Sequence, residues 1–330
     1  MSGTIMDTNP VPAPFSEPGE SPAADPAGTD VAAPSLGVPP QRENPLLAIF
    51  VGPNGLYPGT RWLIYLAMGG IFLGVVGVVS HFVHTPRGGS IWWGLVSQGS
   101  IALAAILPAF VMARLEKQPF GAFGLPKQNA FRRNFWIGTL WGIASLSVLM
   151  IALRLAGAFE FGSLSIHGLA IVKYAFYYAL FFLLVGFFEE FLVRGYSQWV
   201  LTKGMHFWPT AALLSAGFGL LHGSNPGESK AGLVAAALIG FFFCLTLRRT
   251  GDLWWAIGFH MSWDWSESYL YSVPDSGTVL PGHLLNSSFH GPEWLTGGSV
   301  GPEGSLLVFV VMVALWVVFD WIYPAIKYGN

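Results

Sequence analysis

Two adjacent carboxylates lie inside a strongly apolar stretch of the chain, in the segment Phe-Phe-Glu-Glu-Phe-Leu-Val-Arg that ends at Arg194. No charged side chain occurs in the residues before them, 175–188. Ionisable groups inside a membrane are costly, and they usually face a cavity or a partner of opposite charge. Glu189 and Glu190, followed by an arginine one turn later, therefore indicate a polar site within a hydrophobic helix.

The composition indicates a polytopic membrane protein. Apolar residues make up 53% of the chain and charged residues 10%, against roughly 25% charged residues in soluble domains. The 14 tryptophans suit the aromatic belts of a bilayer interface, and we expect the pairs Trp92-Trp93 and Trp254-Trp255 to lie there. No basic cluster indicates nucleic acid, so membrane lipid is the expected surrounding partner.

A change in proline content divides the chain into two parts. Residues 1–44 are rich in Pro, Ala, Gly and Ser, and ten of the 23 prolines lie at or before Pro45. Such a segment buries too little apolar surface to offset its ordering entropy, so we predict a disordered N-terminal tail. Residues 45–330 form the predicted transmembrane domain.

Apolar runs near the roughly 20 residues that a bilayer core requires follow the tail. They predict an all-α fold of about eight transmembrane helices around a polar cavity within the membrane. The fourth run is long enough to tilt or to project beyond the bilayer. The predicted spans are 62–83, 92–113, 135–156, 170–200, 207–223, 231–247, 253–271 and 305–323.

The positions of Lys and Arg predict the orientation of the protein. With the N-terminus in the cytoplasm, twelve of the 16 Lys and Arg residues lie on the cytoplasmic side. The positive-inside rule therefore favours an integral membrane protein with both termini cytoplasmic, which we expect in a bacterial plasma membrane. The far side would carry only Arg87, Arg154, Lys173 and Lys230.

The first polar motif is Glu189-Glu190-x-x-x-Arg194. Glu190 and Arg194 are four residues apart, so they share a helix face and can pair. Glu189 points about 100° away from Glu190 and is left to face a different wall. A carboxylate that is not held by arginine can act as a base. The alternative is an ion pair that marks the end of a membrane helix.

Two further motifs lie in later spans. Phe218-x-x-x-His222 ends the fifth, and His260-x-x-x-Asp264 lies in the seventh, where the carboxylate can orient the imidazole. Each could instead be a structural or interfacial group. Glu267 follows Asp264 by three residues, so we expect it to line the same cavity or its mouth.

In this order, Glu-Glu-x-x-x-Arg, Phe-x-x-x-His and His-x-x-x-Asn/Asp resemble the signature of the CPBP family, the type II CAAX prenyl endopeptidases and their bacterial relatives, also called the ABI family. The resemblance covers roughly residues 60–323, with the motifs between 189 and 264. It implies an intramembrane endopeptidase. It assigns catalytic roles to Glu189, His222, His260 and Asp264, and supporting roles to Glu190, Arg194 and Phe218.

The chemistry of peptide hydrolysis suits these residue types. The reaction needs an activated water and a stabilised oxyanion. Glu189 can deprotonate water, while His222, in a cavity with His260, can donate to the oxyanion or hold the water. The same three residues could instead ligate Zn²⁺. Their spacing is not His-Glu-x-x-His, so the cofactor stays open.

The expected substrate is a membrane-associated peptide, either CAAX-like or a leader peptide, or a lipidated protein. Asp264 stands where the prenyl-protease branch typically has asparagine, which weakens the inference of a prenylated substrate. Two other classes of protein remain open. One is a non-catalytic membrane scaffold or immunity protein that keeps the motifs as a structural polar network. The other is a proton-coupled transporter, which the absence of internal repeats disfavours.

A simple count of spans leaves one geometric difficulty. Glu189 and His260 lie partway in from the cytoplasmic side, whereas His222 lies toward the far end of its helix. The three can meet only if the fifth span is shifted, tilted or broken, or if the long fourth span is offset.

Overall fold

The computed structural model describes residues 49–82 and 91–329, so the predicted tail of residues 1–44 lies outside the described residues. The fold is predominantly helical, as predicted. Its helices are α1 Pro58–Phe82, α2 Ile91–Leu115, α3 Arg133–Leu155, α4 Leu169–Phe191, α5 Gln198–Met205, α6 Phe207–His222, α7 Lys230–Thr250, α8 Trp254–Trp265, α9 Glu293–Thr296 and α10 Leu306–Ile322.

Two short antiparallel ladders accompany the helices in the described part of the chain. Strands β1 (Val51–Gly52) and β2 (Gly55–Leu56) form a tight hairpin just before α1. Strands β3 (Phe159–Glu160) and β4 (Ser288–Phe289) join the loop after α3 to the long loop before α9. The second ladder therefore fixes two loops that are distant in sequence.

Five helical stretches are long and apolar enough to cross a membrane: Pro58–Phe82, Ile91–Leu115, Arg133–Leu155, Leu169–Met205 and Lys230–Thr250. Helices α6, α8 and α10 coincide with the other three predicted spans. They have 16, 12 and 17 residues, fewer than the roughly 20 of a complete span. The total of eight spans therefore stays a prediction.

The long fourth span is interrupted directly after Arg194. Helix α4 continues through a π-helical segment, Leu192–Ser197, into α5, and the backbone of Gly195 leaves the helical region at φ −82° and ψ −114°. Bulges of this kind bend a helix and often lie at functional sites. The break separates α4, which carries Glu189 and Glu190, from α5.

Small residues allow α3 and α8 to pack closely. A Cβ atom at Gly138 would lie 2.0 Å from the carbonyl oxygen of Trp255, and one at Gly142 would lie 2.4 Å from that of Phe259. Glycines four residues apart let membrane helices approach at the backbone. Trp254 and Trp255, which we expected in an aromatic belt, are buried within the protein rather than exposed on its surface.

A polar cluster fixes the start of α8. The carboxylate of Asp252 accepts hydrogen bonds from Nδ2 of Asn129 at 2.8 Å and from Nδ2 of Asn134 at 3.1 Å. It also accepts one from the backbone N–H of Trp254 at 3.1 Å. Burial raises the pKa of Asp252, and these donors partly offset that shift. The cluster orients the helix that carries His260.

Candidate active site

A cavity of about 400 Å³ opens between α4, α6, α7, α8 and α10. Most of its wall is apolar, and polar side chains occupy separate parts of it. All four residues to which the motifs assign catalytic roles line this cavity: Glu189, His222, His260 and Asp264. Three helices from distant parts of the sequence therefore present these side chains to one space.

Glu190 and Arg194 form a buried ion pair beside the cavity. Both side chains are fully buried, and Nη1 of Arg194 lies 3.3 Å from Oε1 of Glu190. The guanidinium also lies over the ring of Phe218, with 4.5 Å between Cζ and the ring centroid, which is a cation–π contact. Removing one member of a buried pair leaves an uncompensated charge, so the two residues stabilise each other's position.

His260 connects this ion pair to the cavity. Its Nδ1 lies 2.9 Å from Oε1 of Glu190. An ionised carboxylate only accepts hydrogen bonds, so Nδ1 carries the hydrogen atom and is the donor of this hydrogen bond. The ring stacks on Phe243 with 5.9 Å between centroids. Nε2 then faces Glu189 at 3.7 Å and Asp264 at 3.4 Å.

The two adjacent carboxylates differ in their access to the cavity. The side chain of Glu190 is fully buried, whereas that of Glu189 is 23% exposed and lines the cavity wall. Water and substrate can reach Glu189, while Glu190 is enclosed by its two partners. The sequence places the residues side by side, and the helix gives them separate environments.

His222 is the last residue of α6 and shares the cavity with the other groups. Its Nδ1 lies 2.9 Å from the backbone oxygen of Phe218. A carbonyl oxygen only accepts, so Nδ1–H donates and Nε2 of the neutral ring is left as an acceptor. No hydrogen bond or ion pair among the described residues joins His222 to Glu189 or His260. With Nδ1 engaged in this way, Nε2 is the ring nitrogen of His222 that is left to contact water or substrate.

The ligand atoms of Glu189, His222 and His260 do not form a convergent group in this arrangement. Zinc binds nitrogen and oxygen ligands at about 2.0–2.2 Å, so the ligand atoms of one ion must converge closely. Among the described residues, the metal-ligating side chains whose ligand atoms all lie within 4.8 Å of one another are those of Asp264, Asp275 and Glu303. We therefore derive no catalytic step through zinc.

Asp264 belongs to a second polar wall of the cavity, whose other acidic residues lie outside the three motifs. Asp275 and Glu303 also line it. Ser268 Oγ donates to Asp275 at 3.1 Å, and Ser276 Oγ donates to Glu303 at 2.8 Å. Burial raises the pKa of Asp275 well above its usual value, and the carboxylates of Asp264 and Glu303 raise it further.

Glu267, expected at the cavity or its mouth, does not line the cavity, although it lies close to the second polar wall. It is fully buried and is not among the residues that line the cavity. Neither of its carboxylate oxygens has a hydrogen-bond partner within the described part of the chain. A Cβ atom at Gly301, whose φ is +100°, would lie 3.2 Å from Oε1 of Glu267. Glycine at this position allows both the backbone conformation and the close approach.

Residues 171–266 match the family model of type II CAAX prenyl endopeptidase Rce1-like proteins. The predicted family resemblance is confirmed. The Rce1-like segment covers less than half of the chain, and it contains every motif residue between Glu189 and Asp264. No curated protein matches the chain.

The Rce1-like family is a protease family of membrane proteins, so the match supports a CAAX-type peptidase activity. Together with the five apolar helices, it indicates an integral membrane protein. Membrane-associated peptides and prenylated proteins are the substrate class that the Rce1-like family implies. The match does not distinguish a glutamate-type peptidase from a metallopeptidase.

Proposed function

We propose that the protein is an intramembrane endopeptidase that hydrolyses a peptide bond of a membrane-associated substrate, with Glu189 as the general base. The observation that carries this proposal is the division between two adjacent carboxylates. Glu189 lies on the cavity wall, whereas Glu190 is buried and hydrogen-bonded to His260. One carboxylate is free to take a proton, and the other holds the catalytic groups in place.

In the proposed reaction, a water molecule lies between Glu189 and the scissile carbonyl carbon. Glu189 takes a proton from the water as its oxygen attacks that carbon, and a tetrahedral intermediate forms. The carbon–nitrogen bond then breaks, and the proton held by Glu189 passes to the leaving amine. The products are a carboxylic acid and an amine, and the carboxylate of Glu189 is regenerated.

The other polar groups would position this water and carboxylate. Nε2 of His222, left as an acceptor, holds the second hydrogen of the water. His260, fixed by Glu190, lies 3.7 Å from Glu189 and orients its carboxylate. Asp264 lies 3.4 Å from Nε2 of His260, so we assign it to orienting that ring.

The apolar part of the cavity suits an apolar peptide segment. Its wall includes Phe181, Phe188, Leu221, Val308 and Met312. Its volume lies within the roughly 300–1,000 Å³ of ligand pockets. A membrane-embedded or lipid-modified segment could place apolar groups here and its scissile bond against Glu189. We propose a CAAX-like or leader-peptide substrate on this basis.

Incubation of the purified full-length protein in detergent with a peptide library, followed by mass spectrometry, tests the proposal. We expect discrete cleavage products that persist with a zinc-selective chelator and that disappear with Glu189→Gln. The matched control is Glu160→Gln, an exposed carboxylate distant in sequence from the motifs. Equal cleavage by Glu189→Gln and wild type would refute the mechanism, and loss of cleavage on zinc chelation would favour a metallopeptidase.

A further inference from the structure

The second polar wall of the cavity concentrates negative charge. One ligand oxygen from each of Asp264, Asp275 and Glu303 lies within 4.8 Å of the others. Asp264 belongs to α8, Asp275 to the loop that follows it, and Glu303 to the 3-10 turn before α10. Three separate segments of the chain therefore each place one carboxylate in the same small region of the cavity wall.

Glu267 provides a second, independent observation at this point. Its side chain is fully buried, and both carboxylate oxygens lack a hydrogen-bond partner among the described residues. The indole of Trp263 is a polar neighbour of this carboxylate. The charged neighbours of Glu267 are the three carboxylates of the cluster, Glu303, Asp275 and Asp264. A buried carboxylate among other carboxylates needs a cation or a proton.

The positive groups of the described structure do not neutralise this charge. Among the described residues, no Lys or Arg forms an ion pair with Glu267, Asp275 or Glu303. His260 lies 3.4 Å from Asp264 but also contacts Glu189 and Glu190. One imidazole among so many carboxylates leaves an excess of negative charge at this wall of the cavity.

We propose that Asp264, Asp275 and Glu303 bind a hard divalent cation of the Ca²⁺ type, with Glu267 as a further carboxylate beside them. Ca²⁺ takes six to eight oxygen ligands in flexible geometry, from carboxylates, hydroxyls, carbonyls and water. Ligands from a helix, a loop and a short turn suit that flexibility better than the strict octahedron of Mg²⁺. The ion would face the same cavity as Glu189 and stabilise the packing of α8 against the loop before α10.

Binding of ⁴⁵Ca²⁺ and thermal unfolding of the full-length protein in detergent test this site without any activity measurement. The variants are Asp275→Asn and Glu303→Gln, and the control is Glu293→Gln, an exposed carboxylate at the start of α9. At about 1 mM Ca²⁺, the range of extracellular calcium modules, wild type and control should bind the ion and unfold at a higher temperature than in chelator. Each variant should weaken binding by at least about tenfold.

The behaviour in chelator separates an ion site from a merely structural cluster. Without Ca²⁺, both variants should be at least as stable as wild type, because each removes one of several repelling charges. Absence of ⁴⁵Ca²⁺ binding to wild type would overturn the proposal. So would binding that both variants retain at the level of the control. Stabilisation by Zn²⁺ but not by Ca²⁺ or Mg²⁺ would also overturn it, because it would place an ion on the histidines.

Discussion

The Nδ1 atom of His260 lies 2.9 Å from Oε1 of Glu190, which is 70 residues earlier in the chain. The same oxygen lies 3.3 Å from Arg194. The first and third motifs therefore form one hydrogen-bonded unit, and Glu190 is its centre. This arrangement leaves Glu189 as the carboxylate of the first motif that reaches the cavity.

Replacement of Arg194 should lower the stability of the folded protein. Arg194→Ala leaves Glu190 buried and paired only with His260, and breaking a buried ion pair costs about 3–5 kcal/mol. We expect a clear fall in the melting temperature in detergent together with loss of cleavage. The double variant Glu190→Gln with Arg194→Met removes both charges and should regain much of the stability, but not the activity. Wild-type stability of Arg194→Ala would show that the pair does not hold the site.

The close contact of α3 and α8 predicts a strong effect of a single methyl group. Gly138→Ala would place Cβ 2.0 Å from a backbone oxygen of α8, and overpacking of this kind costs about 1–3 kcal/mol. Gly74→Ala in α1 is the matched control, because no atom lies within 4 Å of its added Cβ. Thermal unfolding should show destabilisation for Gly138→Ala alone. An equal effect of both substitutions would contradict the packing described here.

The orientation of the chain stays a prediction from the positive-inside rule. With both termini in the cytoplasm, twelve Lys and Arg residues lie on the cytoplasmic side and four on the far side, which is the distribution that the rule favours. A reporter fused to the C-terminus should therefore be active only if it functions in the cytoplasm, and one inserted after Gly291 should report the far side. A C-terminal fusion that reports the far side would require an odd number of spans.

The sequence predicted the helices well because long apolar runs require helical backbone in a membrane. The motif spacing also predicted the Glu190–Arg194 contact, since residues four apart meet on one helix face. It could not predict the burial of Trp254 and Trp255. That burial depends on the approach of α3, which is fixed by glycines more than a hundred residues earlier.

The second polar wall of the cavity could not be predicted from the motifs either. Asp275 and Glu303 reach Asp264 through loop conformations that no periodic pattern encodes. The sequence did carry one signal: the loop from Ser272 to Gly304 has several acidic residues and no Lys or Arg. The burial of Glu267 likewise depends on that loop, because Gly301 lies against it.

The most direct test of the proposed mechanism is the cleavage rate of Glu189→Gln in detergent. The substitution keeps the size of the side chain and its hydrogen-bonding capacity but removes the base. We expect cleavage to fall at least about 10²-fold, the usual contribution of a general base, while the melting temperature stays near that of wild type and Glu160→Gln cleaves normally. A folded Glu189→Gln protein that cleaves at the wild-type rate would contradict the account, and a variant that fails to fold would favour the structural polar network of a scaffold.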